Sequence, residues 1–109
     1  MVDVQEKIQQ LQIYEYQIQQ ILAQKQQLNS KKLESSSVIN DLSKTSEAYE
    51  LIGNVLIKKS AEEIKKSLEE KNEMIEIRLR SLDKQENDVR EKAEKLQKEV
   101  LGALKESKK

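Results

Sequence analysis

Between residues 49 and 58 the chain reads Tyr49-Glu50-Leu51-Ile52-Gly53-Asn54-Val55-Leu56-Ile57-Lys58. Two short apolar runs flank Gly53-Asn54. A two-residue turn signal between β-rich runs is the mark of a β-hairpin. With Gly53 and Asn54 as the loop, Ile52 faces Val55 and Leu51 pairs with Leu56. Side chains alternate along a strand, so these two pairs fall on opposite faces of the ribbon. Both faces are then partly apolar. A lone hairpin is marginal in water, and no other part of the chain reads as strand. The hairpin is therefore expected to pair with hairpins of other subunits. The alternative reading has Gly53 close a helical hairpin, but Val55-Leu56-Ile57 after the turn favours strand.

On either side the pattern is helical. The N-terminal seam runs Val4, Ile8, Leu11, Tyr14 or Glu15, Ile18, Ile21, Lys25, Leu28, Lys32, Ser35, Ile39 and Leu42, then Ser46 and Tyr49. Steps of three and four residues are a heptad signature. The step from Ile8 through Leu11 to Tyr14 predicts a local stammer. The C-terminal seam runs Ala61, Ile64, Leu68, Lys71, Ile75, Arg78 and Leu82, then Glu86, Val89, Ala93, Leu96, Val100 and Ala103. Its extra four-residue step at Leu82 predicts a stutter. Ser60-Ala61-Glu62-Glu63 is a capping box, with Ser60 as N-cap. The spacing predicts a mainly α chain: a long antiparallel two-helix coiled coil with a central hairpin. Residues 1–109 form one domain, with helix over 1–47, hairpin over 48–59, helix over 60–105 and a frayed tail over 106–109.

Composition agrees. Of 109 residues, 37% are charged and 36% hydrophobic, and the three aromatics are all tyrosine. That is too little for a thick globular core, yet Pro is absent and helix formers dominate. Without Cys there is no disulfide or thiolate metal site, and without His the commonest general base is missing. The carboxylates alternate with lysines on solvated helix faces, and no loop shows oxygen-ligand spacing. No enzyme, metal or cofactor is expected. Lys plus Arg equals Asp plus Glu at 20 each, which argues against nucleic-acid binding. Apolar runs of a few residues fall far short of the roughly 20 a membrane span needs. A soluble, intracellular protein is expected.

Helix, short Gly-Asn hairpin, helix: this order resembles prefoldin, in its β type. Ala48 to Lys58 and the helix start at Ser60 to Ile64 carry the resemblance, and the single hairpin resembles β rather than α subunits. The composition looks like that of an archaeal, thermophilic version. The resemblance implies a cytoplasmic hetero-hexamer of two α-type and four β-type subunits. Its hairpins would assemble through Tyr49, Leu51, Ile52, Gly53, Asn54, Val55, Leu56 and Ile57. It also implies an ATP-independent chaperone that captures unfolded proteins at the coiled-coil tips and delivers them to a group II chaperonin. Near the termini, Val2, Val4, Ile8, Leu11, Ile13, Leu96, Val100, Leu101 and Leu104 exceed what one seam can bury. From these, Val4, Ile8, Leu11, Ile13, Val100, Leu101 and Leu104 are the expected client-binding residues, with off-seam Ile13 and Leu101 the better candidates. The alternative function is a non-catalytic scaffold or tether, which predicts continuous helix through Gly53.

Overall fold

A computed structural model describes residues 4–107. The order is α1 (Val4–Leu42), β1 (Glu47–Ile52), β2 (Val55–Ser60) and α2 (Ala61–Ser107). The two strands form one antiparallel sheet. The expected architecture of two long helices around a central hairpin is the one observed. Val2 and the last two residues of the expected tail lie outside the described residues. Glu106 and Ser107 continue α2 rather than fraying.

The first helix stops at Leu42, five residues before the expected end. Leu42 is its last buried side chain. Beyond it, Lys44 N–H donates to the Asp41 carbonyl and Thr45 N–H to the Leu42 carbonyl, both at 3.2 Å. These are the tighter bonds that commonly finish a helix. The Ser43 hydroxyl donates to the Asn40 carbonyl at 2.6 Å, and Thr45 Oγ1 donates to the Glu47 carbonyl at 3.0 Å. Hydroxyl side chains thus satisfy local backbone groups where the helix would otherwise continue. Consequently Ser46 and Tyr49 leave the helical seam. The second helix begins after Ser60, whose Oγ accepts from Glu63 N–H at 3.2 Å, as an N-cap should.

By internal contacts the chain forms two compact units. One comprises residues 1–25 with 80–109, the other residues 26–79. In both, the seam differs from expectation in an instructive way. Covered positions in α1 run 4, 7, 11, 14, 18, 21, 25, 28, 32, 35, 39 and 42. The heptad is unbroken, so there is no stammer. Lys7 takes the slot assigned to Ile8, and its ammonium pairs with Glu99 at 3.5 Å. Tyr14 is covered and Glu15 exposed. In α2, Asn72 and Leu79 occupy the seam instead of Lys71 and Arg78. The double four-residue step therefore falls at Ile64–Leu68–Asn72, not at Leu82. Shifting the phase there brings apolar Leu79 inside and leaves two long cations in water, which lowers the desolvation cost.

Ile21, Leu82 and Val100 are buried in the terminal unit, and Leu42 and Ala61 in the hairpin unit. Lysines that dilute the α1 seam are answered from α2. Lys25 Nζ bonds Asp83 and, at 2.9 Å, Glu86, while Glu86 also accepts from Arg90 at 2.7 Å. Lys32 pairs with Glu76 at 2.6 Å.

Candidate functional site

The hairpin is built from the turn outward. Gly53 has φ of +63°, and no other described residue has a positive φ. A positive φ at the first loop position alone is the type II′ pattern, whose twist matches that of the strands. Cα partners then run Ile52–Val55, Leu51–Leu56, Glu50–Ile57, Tyr49–Lys58, Ala48–Lys59 and Glu47–Ser60. The first two are the pairs read from the sequence.

Alternation sorts these residues onto two faces. Tyr49, Leu51 and Leu56 share one face with Glu47 and Lys58. Ile52, Val55 and Ile57 share the other with Ala48, Glu50 and Lys59. Each face carries a diagonal ion pair away from the turn. Lys58 meets Glu47 at 3.2 Å, and Lys59 meets Glu50 at 2.7 Å. The hydrogen bond from Lys59 holds the Glu50 carboxyl below the usual carboxylate range, and the same bond holds Lys59 above the usual ammonium range. Nearer the turn both faces are apolar and open. Tyr49, Leu51, Ile52, Val55, Leu56 and Ile57 are all exposed, Leu51 and Leu56 to about two-thirds. Both outer edges of this two-stranded sheet present unpaired backbone groups within the chain. An apolar ribbon with open edges is a template for further strands.

The terminal unit carries the second candidate surface. The seven expected residues divide there. Val100 is buried, and Val4 and Leu11 are half-covered seam residues. Ile8, Ile13, Leu101 and Leu104 are exposed by 39%, 49%, 51% and 42%. Ile8, Leu101 and Leu104 each follow a seam residue by one. In an antiparallel pair such positions lie on the same side, so these three gather there while Ile13 lies on the other. The sequence reading missed one feature of this unit. Tyr16, Gln17, Gln20, Ile21, Gln85, Asp88 and Val89 line a shallow groove, with Tyr16 well exposed. An aromatic off the seam among glutamines was the available signal.

Among the described residues, no group of three or more acids, cysteines or histidines could hold a metal. No helix among them is long and apolar enough to cross a membrane.

This geometry has known counterparts. The family model for prefoldin subunits matches residues 5–107. The prefoldin subunit beta of Methanospirillum hungatei is 36% identical over 104 residues, covering 93% of this chain and 87% of that protein. That of Pyrococcus furiosus is 30% identical over 104 residues, covering 93% and 89%. The crystal structure of the prefoldin beta subunit from Thermococcus strain KS-1 superposes with a TM-score of 0.87 at 27% identity, covering 95% of this chain and 94% of that one. The chain belongs to the prefoldin family of chaperone subunits, in its β type. The family is not known for enzymes, and its subunits assemble with other prefoldin subunits.

Proposed function

We propose that this chain is the β-type component of an ATP-independent holdase, a hetero-hexamer of two α-type and four β-type subunits acting in the cytoplasm. One observation carries the reading. Six apolar hairpin residues are exposed on a two-stranded sheet with open edges. Water is a poor solvent for such a ribbon, and strands from other subunits would cover it. The family match over residues 5–107 supports treating the arms and hairpin as one prefoldin-like domain.

Client capture belongs to the terminal unit in this reading. Ile8, Ile13, Leu101 and Leu104 offer scattered aliphatic surface without a fixed polar pattern, which suits loose holding of unfolded chains. The held protein then passes to a group II chaperonin. Val4, Leu11 and Val100 support this surface from the seam. The scaffold alternative required helix through Gly53, where the chain instead forms paired strands.

The test is light-scattering mass with an α-type subunit, joined to an aggregation-suppression assay without ATP and a chaperonin transfer assay. Hexamer mass, suppressed aggregation and recovery of folded client on adding chaperonin are expected. A chain that stays monomeric with its partner present would overturn the assembly reading. Suppression that requires ATP would overturn the holdase reading.

A further inference from the structure

We propose that assembly covers the hairpin face bearing Tyr49, Leu51 and Leu56, and that its occupant is the apolar face of another prefoldin subunit's hairpin. This rests on the assembly reading above and assigns the surface it uses.

The two faces are unequal. Tyr49, Leu51 and Leu56 are exposed by 66%, 65% and 66%, against 50%, 60% and 38% for Ile52, Val55 and Ile57. The second face is also the one the chain already engages. Ala48, Glu50 and Lys59 are the half-covered residues of the hairpin, and all three lie on it. Two α2 residues act electrostatically on its ion pair: Lys71 on Glu50 and Glu63 on Lys59. That face therefore looks toward charges of its own chain.

Polar chemistry points the same way. Covering the Glu50–Lys59 pair with an apolar partner would desolvate two charges whose side chains are already more than half covered. On the first face, Glu47 and Lys58 are each more than half exposed and lie farthest from the turn. A partner can cover Leu51, Leu56 and Tyr49 and leave that pair wet at the rim, the ordinary layout of a protein interface. The occupant follows from the edges. Only another strand satisfies open backbone edges while laying an apolar face over these three side chains. A client segment would not arrive in fixed register with a complementary face.

The test is assembly of the full chain with an α-type subunit, by light-scattering mass. Leu51→Lys and Leu56→Lys should each weaken assembly at least tenfold. Ile52→Lys and Ile57→Lys should leave it within a fewfold of the unaltered chain. Equal loss on both faces, or loss confined to the second, overturns the assignment. A lysine can also disrupt the hairpin itself, so a second measurement uses native side chains. In a Tyr14→Phe, Tyr16→Phe background Tyr49 is the sole fluorophore. Its acrylamide quenching should fall severalfold on assembly. Unchanged quenching in a formed complex overturns the face assignment alone, and protection by an unfolded client without the α subunit overturns the occupant. Failure of the unaltered chain to assemble overturns the assembly reading itself.

Discussion

Lys25 of α1 and Glu86 of α2 face each other across the helix seam at 2.9 Å, and Asp83 shares the same ammonium. Hydrogen bonds from Lys25 first and Arg90 second hold the Glu86 carboxyl below the ordinary carboxylate range. Bonds to Asp83 and then Glu86 hold Lys25 above the ordinary ammonium range. The signs set a window. Glu86 contributes stability at pH above its unfolded value of 4.5, and this is lost as pH falls through its depressed folded value. Lys25 contributes at pH below 10.5, and this is lost as pH rises through its raised folded value. Thermal melts should therefore show highest stability between these limits, with the acid-side loss reduced in Glu86→Gln. A Glu86→Gln chain that loses stability on acidification as steeply as the unaltered one would contradict this.

Leu82 is 1% exposed and sits in the terminal unit's seam. Leu82→Ala should cost about 2–5 kcal/mol, through lost transfer free energy plus the cavity left behind. Denaturant titration by circular dichroism measures it. A cost below 1 kcal/mol would mean the helices close over the gap.

Asn72 holds a seam position in the hairpin unit, and its Oδ1 is buried without a hydrogen-bond partner. Asn72→Leu removes that unsatisfied group and should raise stability by about 1–3 kcal/mol. The accompanying loss is specificity, because a polar seam residue disfavours other registers. A cysteine pair placed across the seam should then cross-link in more than one register. Lower stability in the melt would show that Asn72 has a partner in solution.

Gly53→Ala meets no steric neighbour, since nothing lies within 4 Å of the added carbon. Its cost is conformational, about 1–2 kcal/mol for an L residue held at positive φ. Helicity should be unchanged, while the concentration needed for assembly rises about tenfold. Light scattering across a dilution series reads this directly.

Charging the terminal surface should separate holding from assembly. Ile8→Lys with Leu101→Lys places charge on exposed positions outside the seam, so stability should change by less than about 1 kcal/mol. Hexamer mass should persist, while suppression of client aggregation falls severalfold. Undiminished suppression would move the client surface elsewhere, with the Tyr16 groove as the next candidate.

The hairpin was legible because its signal is local. Gly53-Asn54 sets the turn, and a period of two then settles every partner from Ile52–Val55 outward. Ser60 as N-cap was legible for the same reason: its oxygen and the Glu63 N–H are one turn apart. The seam was legible only in outline. Reading it by apolarity chose Ile8 over Lys7 and could not choose between Tyr14 and Glu15. Adjacent residues differ by about 100° around a helix, so a seam can drift by one position at little cost in pattern.

Sequence by itself determined two helices, a central hairpin with its register, and a surplus of aliphatics near the termini. Tertiary structure decided which residues the helices turn inward. Lys7, Lys25 and Lys32 could enter the α1 seam because Glu99, Glu86 with Asp83, and Glu76 stand opposite on α2. It also decided that Val100 is buried while Leu101 is exposed, and that one hairpin face lies nearer its own helix than the other. Turns and caps are made by residues adjacent in the chain. A seam is made by residues tens of positions apart, and its cost of burial depends on what the opposite helix supplies.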